Sequence, residues 1–353
     1  MAVAAIIFGL APTPAFAHVK WFVEPKDAAR PKVDWSLVFS SRTALLLAVA
    51  AGALAVLYVA QKLVRDPHWP ALRSFERMAI GAPTLLAVQA AITLIYAAAQ
   101  PALFVPNIPL PINAFGVVVA AVEILIAFSF ITGILDVVGA IALMVLWPIS
   151  LFRGRYFDTL DMLFWVSIGL TILFVGAHAT DVARIRPWFR SHTKVSSAGV
   201  IAALRVITGL AVLAPALSEK IWNPRLANAF LAQYPQFNFM QSVFGLSWFN
   251  HDRFVLAAGV AEGTIGVLLI SGLLTRVVIL GMWLPFNIGI AFLPAQELIG
   301  HLPILGIMYL LLVHSSGIAP GESLDRRVPP GAPKQLAVSN DRRQTQTADS
   351  WMR

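Results

Sequence analysis

One carboxylate lies inside an otherwise apolar stretch of the sequence. The stretch runs from Val260 to Arg276, reads VAEGTIGVLLISGLLTR, and carries Glu262 near its start. A charged side chain at the centre of a membrane helix costs about 2.5–3.5 kcal/mol on insertion scales. Glu262 is therefore expected to face a cation or a polar cavity, where a carboxylate can form an ion pair or accept a proton.

The stretch around Glu262 has a counterpart earlier in the chain. It reads AVEILIAFSFITGILDV, and its Glu123 lies 139 positions before Glu262. Similar spacings give further matches, which are Asp158 with Glu297 at 139 positions, and Arg77 with Arg205 and Gly81 with Gly209 at 128 positions. The sequence therefore predicts an internal repeat, whose second copy is longer by 11 residues, the difference between the two spacings. Internal repeats are common in membrane proteins that place a site between two halves.

The composition is that of an integral membrane protein. Hydrophobic residues make up 58% of the 353 residues and charged residues 12%, about half the charge of a soluble chain. The net charge of +8 does not indicate a nucleic-acid partner, because most basic residues flank hydrophobic runs, where they set membrane orientation. The chain has no cysteine, which excludes disulfides, cysteine-ligated iron–sulfur clusters and c-type haem attachment. Any thiol chemistry must come from a partner.

The hydrophobic runs predict an all-α fold, a polytopic transmembrane helical bundle. Residues 1–17 end in Ala-Phe-Ala and are predicted to be a signal peptide, with an extracytoplasmic lead-in over 18–36. After cleavage, about nine spans are expected. They lie at 37–62, 69–98, 114–135, 137–152, 159–178, 197–218, 253–274, 276–293 and 297–315.

These spans divide into one extra N-terminal helix and two four-helix repeats. The predicted units are the extra transmembrane helix 37–62, the first repeat 69–178, a basic cytoplasmic linker 179–196, the second repeat 197–315 with an outer loop at 222–252, and a disordered cytoplasmic tail 316–353. Because each repeat has an even number of spans, the repeats are expected to be parallel. The positive-inside rule then predicts that the N-terminus lies outside and the C-terminus in the cytoplasm. The expected location is a bacterial inner membrane.

Two arginines are expected at a depth similar to that of the two carboxylates. Counted at about 1.5 Å per residue from the helix ends, Arg205 and Glu262 both lie near the middle of the bilayer. By the internal repeat, Arg77 and Glu123 are expected to lie near each other in the same way. The sequence therefore predicts the pairs Arg205–Glu262 and Arg77–Glu123. Either these pairs only hold helices together, or Glu262 and Arg205 form a catalytic centre on a proton path or at a quinone headgroup.

A second group of polar residues gathers at the outer end of the second repeat. Lys220, Arg253 and His301 could bind an anion or a polar headgroup, and Glu297 shares a helix face with His301. A metal site and a solvated rim are the other two interpretations. The candidate binding residues are Lys220, Trp222, Asn223, Arg253, Glu297 and His301, and the candidate metal ligands are His18, His251 and His301.

The first repeat lacks parts of this group. Met162 replaces His301 and Ile92 replaces Lys220, so the second repeat is expected to carry any activity. His178 and His314 lie near the inner ends of equivalent helices and could in principle ligate a b-type haem. Nothing in the sequence fixes them opposite one another, which favours two interfacial residues. No P-loop, dinucleotide fingerprint, nucleophile elbow or zinc-protease motif is present.

One part of the second repeat resembles a known family. The stretch ALRVITGLAVLAPALSEKIWNP, followed by VAEGTIGVLLISGLLTR, is similar to the DoxX/DoxD family of small four-helix membrane proteins. The residues that carry the resemblance are Arg205, Gly209, Lys220, Asn223, Glu262, Gly272, Thr275 and Arg276. The first repeat joins it only through the internal repeat, and there Asp136-Val137 stands in place of Thr275-Arg276. Pro215 and Leu217 stand where the family often has glycine.

The resemblance implies a redox context. Members of the family include the membrane subunit of thiosulfate:quinone oxidoreductase and proteins linked to thiol and oxidative-stress systems. It implies a membrane subunit that passes electrons to quinone from a sulfur compound or another small donor, through a periplasmic or membrane partner. Two other functions fit the same sequence. One is a transport or small-molecule-binding protein with a cavity between the repeats, and the other is a non-catalytic membrane anchor.

Overall fold

The computed structural model describes residues 34–63, 81–104, 108–153, 159–176, 196–290 and 295–314, without the side chains at 153, 284–290 and 295–297. Several predictions lie outside these residues. They are the signal peptide, most of the lead-in and of the linker, the tail, and the individual residues His18, Arg77, Asp158 and His178. The side chain of Glu297 is also outside the description.

The described residues are all-helical, as predicted. Within them, ten helices of nine or more residues follow one another: α1 Ser41–Leu63, α2 Ala82–Ala99, α3 Ala114–Thr132, α4 Asp136–Arg153, α5 Phe164–Phe174, α6 Ser197–Pro215, α7 Arg225–Gln233, α8 His251–Ser271, α9 Thr275–Ile290 and α10 Ala295–His314. Shorter turns of helix flank some of them, and the π-helical segment Ala216–Ile221 continues α6. Each predicted span overlaps one of these helices, and α7 lies in the predicted outer loop.

The apolar helices indicate a membrane protein. In the described parts of the chain, five helical segments are long and apolar enough to cross a membrane: Trp35–Leu63, Ala82–Ala99, Ala114–Thr132, Ser197–Ile221 and His251–Ser271. Three shorter apolar helices lie at Asp136–Phe152, Asp161–Phe174 and Leu298–His314. Many large apolar side chains on these helices are exposed, including Phe128 and Leu125 on α3, as expected for helices that face lipid.

The same turn ends α3 and α8. Gly133 and Gly272 cap these helices in the left-handed conformation, with φ of 74° and 77°. Two residues later, Leu135 and Leu274 also have positive φ, 54° and 40°. Glycine suits the cap because it has no Cβ to collide with the backbone at positive φ. The two copies of the sequence pattern therefore end in the same turn.

Helices α6 and α8 cross in close contact at two glycines. A Cβ on Gly209 would lie 2.7 Å from the carbonyl oxygen of Gly266, and a Cβ on Gly266 would lie 2.8 Å from the carbonyl oxygen of Gly209. Small residues let helix backbones approach in this way. On either side of the crossing, Arg205 touches Gly272 and Lys220 touches Gly259. The two helices are therefore antiparallel, and the crossing fixes their register.

The C-terminal end of α6 changes into a π-helix after Pro215. The segment Ala216–Ile221 is π-helical, and Trp222 N–H donates to the carbonyl of Leu217 at 2.7 Å, a step of five residues. A π turn shifts the following side chains around the helix relative to an α-helix. The helix type therefore changes locally between Pro215 and Lys220.

The last helix of each predicted repeat packs against the first helix of the other. Helix α5, the last of the first repeat, contacts α6, and α10, the last of the second repeat, contacts α2. One hydrophobic core runs through both halves and includes Leu86, Trp165, Leu204 and Leu311. Helix α1, outside the repeats, packs on α8.

We expect the glycine crossing to limit the size of the residues in it. Gly266→Ala places a Cβ against backbone atoms of α6, which must move apart, so the free energy of unfolding should fall by about 1–3 kcal/mol. Gly52 on α1 has no atom within 4 Å of an added Cβ, and Gly52→Ala should be neutral or stabilising because alanine favours helix. Thermal unfolding of both purified variants measures the difference. Equal melting temperatures for the two variants would contradict the close crossing.

Candidate functional site

The polar centre of the second repeat is an ion pair between Lys220 and Glu262. Lys220 Nζ donates to Glu262 Oε2 at 2.6 Å. The lysine side chain is 14% exposed and the carboxylate side chain 32% exposed, so the pair is neither sealed in the core nor open on a surface. The prediction that Glu262 needs a cationic partner agrees with this contact. The prediction that Arg205 is this partner is wrong.

The register of the helix crossing explains why Arg205 does not reach Glu262. Arg205 lies one turn before Gly209 in α6, and Glu262 lies one turn before Gly266 in α8. Because the helices are antiparallel, the two side chains lie on opposite sides of the crossing, separated along the axis by about 12 Å at 1.5 Å per residue. This separation corresponds to about two helical turns.

Arg205 packs instead on the end of α8. Its guanidinium lies against Gly272, where an added Cβ would be only 1.4 Å from Nη1. Among the described residues, the Nε of Arg205 has no hydrogen-bond partner. A cation at the C-terminus of a helix interacts favourably with the helix dipole. Gly272 therefore meets two requirements at once, a positive φ and room for the arginine.

A second arginine caps the last helix. Arg276 Nε donates to the carbonyl of Leu312 at 2.9 Å, and its Nη2 donates to the carbonyl of Val313 at 3.1 Å. These carbonyls belong to the last turn of α10 and have no partner within their own helix. Arg276 therefore ties the start of α9 to the end of α10. The preceding residue also has a structural role, since Thr275 donates its hydroxyl to the carbonyl of Gly272 at 3.2 Å.

Lys220 reaches Glu262 because glycine and the π-helical segment let it lie against α8. A Cβ on Gly259 would lie 2.8 Å from the Cβ of Lys220 and 2.9 Å from Ile221 Cδ1. The side chains next to the pair are apolar. Leu46 and Ile221 are buried beside Val260. The ammonium is therefore held by packing of its stem as well as by the carboxylate.

Helix α1 covers this part of α8. Leu46 lies over Gly263, where a Cβ would be 2.7 Å from Leu46 Cδ1. Above it, Arg42 forms an ion pair with Asp252, and Trp222 Nε1 donates to the Thr43 hydroxyl at 3.2 Å. The sequence did not predict these contacts, because the residues are about 180 to 210 positions apart and neither Arg42 nor Thr43 belongs to a repeated pattern.

The other predicted rim residues lie in different surroundings. Asn223 is buried. Arg253 is exposed and donates from Nη1 to the carbonyl of Trp248 at 2.6 Å, while Lys220 pairs with Glu262. His301 is partly buried on α10. A shared anion site of Lys220, Arg253 and His301 stays a prediction.

A polar depression lies beside this rim in the outer loop. It is open, has a volume of about 480 Å³, and is lined by Asn228, Gln241, Asn250, His251 and Asp252. Asn228 donates to Asp252 at 3.3 Å, and Asn250 accepts from the backbone N–H of Arg253 at 3.0 Å and so caps α8. In the described residues, no group of three or more histidine, aspartate or glutamate side chains is arranged to hold a metal ion. The metal site with His251, His301 and His18 stays a prediction, and His18 lies outside these residues.

Glu123, the counterpart of Glu262, has different surroundings. It is completely buried and accepts the backbone N–H of Phe104 at 2.8 Å. Phe104 has a φ of 63° and stacks on Trp165 at a ring distance of 5.2 Å. The other carboxylate oxygen, Oε2, has no hydrogen-bond partner within the described ranges, and the predicted partner Arg77 lies outside them. In the first repeat, the backbone N–H of Phe104 is therefore the partner of the carboxylate, and the carboxylate is buried. In the second repeat, the partner is a lysine.

Comparisons of the chain with protein-family models, with curated proteins and with solved structures find no match. The resemblance to the DoxX/DoxD family therefore stays a prediction from the residues named above.

A double-mutant cycle tests which cation serves Glu262. Lys220→Met should lower the free energy of unfolding by about 1–3 kcal/mol, because it leaves a partly buried carboxylate without its cation. Glu262→Gln in the same chain should restore part of the loss, which gives a coupling energy of about 0.5–3 kcal/mol.

The cycle of Arg205→Met with Glu262→Gln is the matched control. Its two residues are not in contact, so their effects should add within about 0.5 kcal/mol. Chemical or thermal unfolding in detergent gives all the values. Coupling of Glu262 to Arg205 rather than to Lys220 would refute the assignment.

Proposed function

We propose a membrane protein of nine spans, in which two parallel four-helix repeats follow one extra helix, α1. Three observations support the repeat. The turns at Gly133 and Gly272 have the same backbone, the carboxylates Glu123 and Glu262 lie at corresponding positions, and the last helix of each repeat packs on the first helix of the other. Arg205 and Arg276 both lie at the end where α8 and α10 terminate. This agrees with a cytoplasmic location for that end.

For function, we propose a DoxX-like membrane subunit of a redox system that passes electrons to quinone. The observation that carries the proposal is the Lys220–Glu262 pair, an ammonium and a carboxylate 2.6 Å apart between apolar helices. No described residue donates a hydrogen bond to the second oxygen of Glu262, and the carboxylate is a third exposed. A ligand that offers both an acceptor and a hydroxyl donor fits such a pair.

A quinone headgroup has this chemistry. Its carbonyl oxygen accepts a hydrogen bond from Lys220 Nζ, which has three donors. When two electrons from the donor reduce the quinone to a quinol, two protons are taken up from water. The Glu262 carboxyl can pass one of them to the headgroup, and the new quinol hydroxyl can then donate a hydrogen bond to the Glu262 carboxylate. The electrons must come from a sulfur compound or another small donor through a partner, because the chain itself has no thiol.

A non-catalytic anchor is the second candidate. It is favoured by helix α1, whose Leu46 and Arg42 cover the outer part of α8. In an anchor, the Lys220–Glu262 pair only joins α6 to α8. The two functions differ in whether the pair binds anything from outside the chain.

Quinone binding separates the two functions. The purified protein should bind a short-chain quinone, measured by calorimetry, and Lys220→Met and Glu262→Gln should each weaken binding about tenfold, the cost of one charge-assisted hydrogen bond. Glu123→Gln is the matched control, because it changes the corresponding carboxylate in the closed first repeat and should leave the affinity unchanged. Mass spectrometry of co-purified small molecules should find quinone in the wild type. Absence of quinone by both measurements in a folded protein would refute the quinone proposal.

A further inference from the structure

The outer loop between α6 and α8 carries a patch of exposed apolar side chains. Val243, Phe244 and Trp248 are 69%, 64% and 59% exposed. They follow one another around a tight turn at Gly245, whose φ is 67°. We call these three residues the aromatic tip. Exposed apolar groups of this kind on a loop mark a surface that contacts another apolar phase or molecule.

The rest of the loop is folded and well packed. Helix α7 buries Leu226 and Phe230 against Val255 in the first turns of α8. Asn238 is fully buried and donates from its amide to the carbonyl of Phe249 at 2.9 Å. The exposure of the aromatic tip is therefore a property of a defined structure, in which other apolar side chains of the same loop are buried.

Aromatic ring contacts connect the tip to the start of α8. Phe254, in the first turn of α8, lies 5.3 Å from Phe239, which lies 6.3 Å from Phe244. A second path runs from Phe254 through Phe249 at 6.4 Å to Trp248 at 5.3 Å. The tip therefore lies only two ring contacts from the outer end of a candidate membrane span.

The length of α8 sets the level of this end in the membrane. Its 21 residues extend about 31 Å at 1.5 Å per residue, close to the hydrocarbon thickness of a bilayer, about 30 Å. If the helix crosses the membrane, His251 lies near one boundary. The rings of Phe239 and Phe249, which contact Phe254, then lie near the same boundary. Tryptophan is favoured at this level because its ring is amphipathic.

A cation lies next to the tip. Arg253 is exposed, its guanidinium is 5.8 Å from the Trp248 ring centroid, and it donates to the carbonyl of Trp248. An arginine beside a tryptophan at a membrane boundary can contact lipid phosphate while the ring enters the acyl region. The tip thus combines apolar rings with one positive charge, which matches the boundary between headgroups and acyl chains.

We propose that the aromatic tip inserts into the bilayer at the boundary between headgroups and acyl chains and holds the outer loop on the membrane surface. The loop then lies flat beside the outer ends of α6 and α8, at the level of Trp222 and Asp252. This binding of lipid is independent of any quinone chemistry at Lys220 and Glu262.

Single-cysteine labelling tests the proposal directly, because the full chain has no cysteine. Phe244→Cys and Val243→Cys, labelled with an environment-sensitive fluorophore and reconstituted in phospholipid nanodiscs, should emit at shorter wavelength and be quenched by a nitroxide on the lipid acyl chain near the headgroup. Gln233→Cys is the matched control. It is exposed at the end of α7 in the same loop, and its label should be quenched by aqueous iodide and not by the lipid nitroxide.

Two outcomes would overturn the proposal. If the labels at 243 and 244 behave like the label at 233, the tip lies in water. If they are shielded from both quenchers, another protein or a second copy of the chain covers the tip. Wild-type melting behaviour of each labelled variant confirms that the fold is kept.

Discussion

The crossing of α6 and α8 at Gly209 and Gly266 is the contact on which the arrangement of the second repeat depends. Two backbones that touch can do so in only one register, since any shift along the axis brings a side chain into the gap. That register places Lys220 at Gly259 and Arg205 at Gly272. The identity of the ion pair thus follows from two residues without side chains, rather than from attraction between the charges.

The two copies of the pattern keep the backbone and differ in what surrounds the carboxylate. Both copies end the helix with a left-handed glycine, Gly133 or Gly272. In the first copy, the backbone of Phe104 donates to Glu123, and Trp165 stacks on the Phe104 ring. In the second copy, a lysine on a π-helical segment takes that place and leaves the carboxylate partly open. Of the two carboxylates, only Glu262 in the second copy is accessible from outside the chain.

The sequence predicted the helices better than it predicted the contacts between them. Long apolar runs specify where helices form, because few other structures satisfy the backbone of such residues, and each predicted span overlaps a helix in the described part of the chain. Repetition also predicted that Glu123 and Glu262 are equivalent. The partner of Glu262 was wrong because depth along a helix says nothing about which turn of a neighbour lies opposite. The contacts of Arg42 and Leu46 with α8, and of Thr43 with Trp222, could not be predicted from spacing, since they join distant and unrepeated parts of the chain.

The position of α1 has a consequence for biosynthesis. Arg42 and its partner Asp252 are separated by 210 residues, so α1 leaves the ribosome long before α8 exists. At about 5–20 residues per second, the interval is about 10–40 s. During this time α1 has none of its contacts with α8, and its apolar residues alone must keep it in the lipid. The covering of Gly263 by Leu46 is therefore a late event in assembly, completed only after most of the polypeptide has been made.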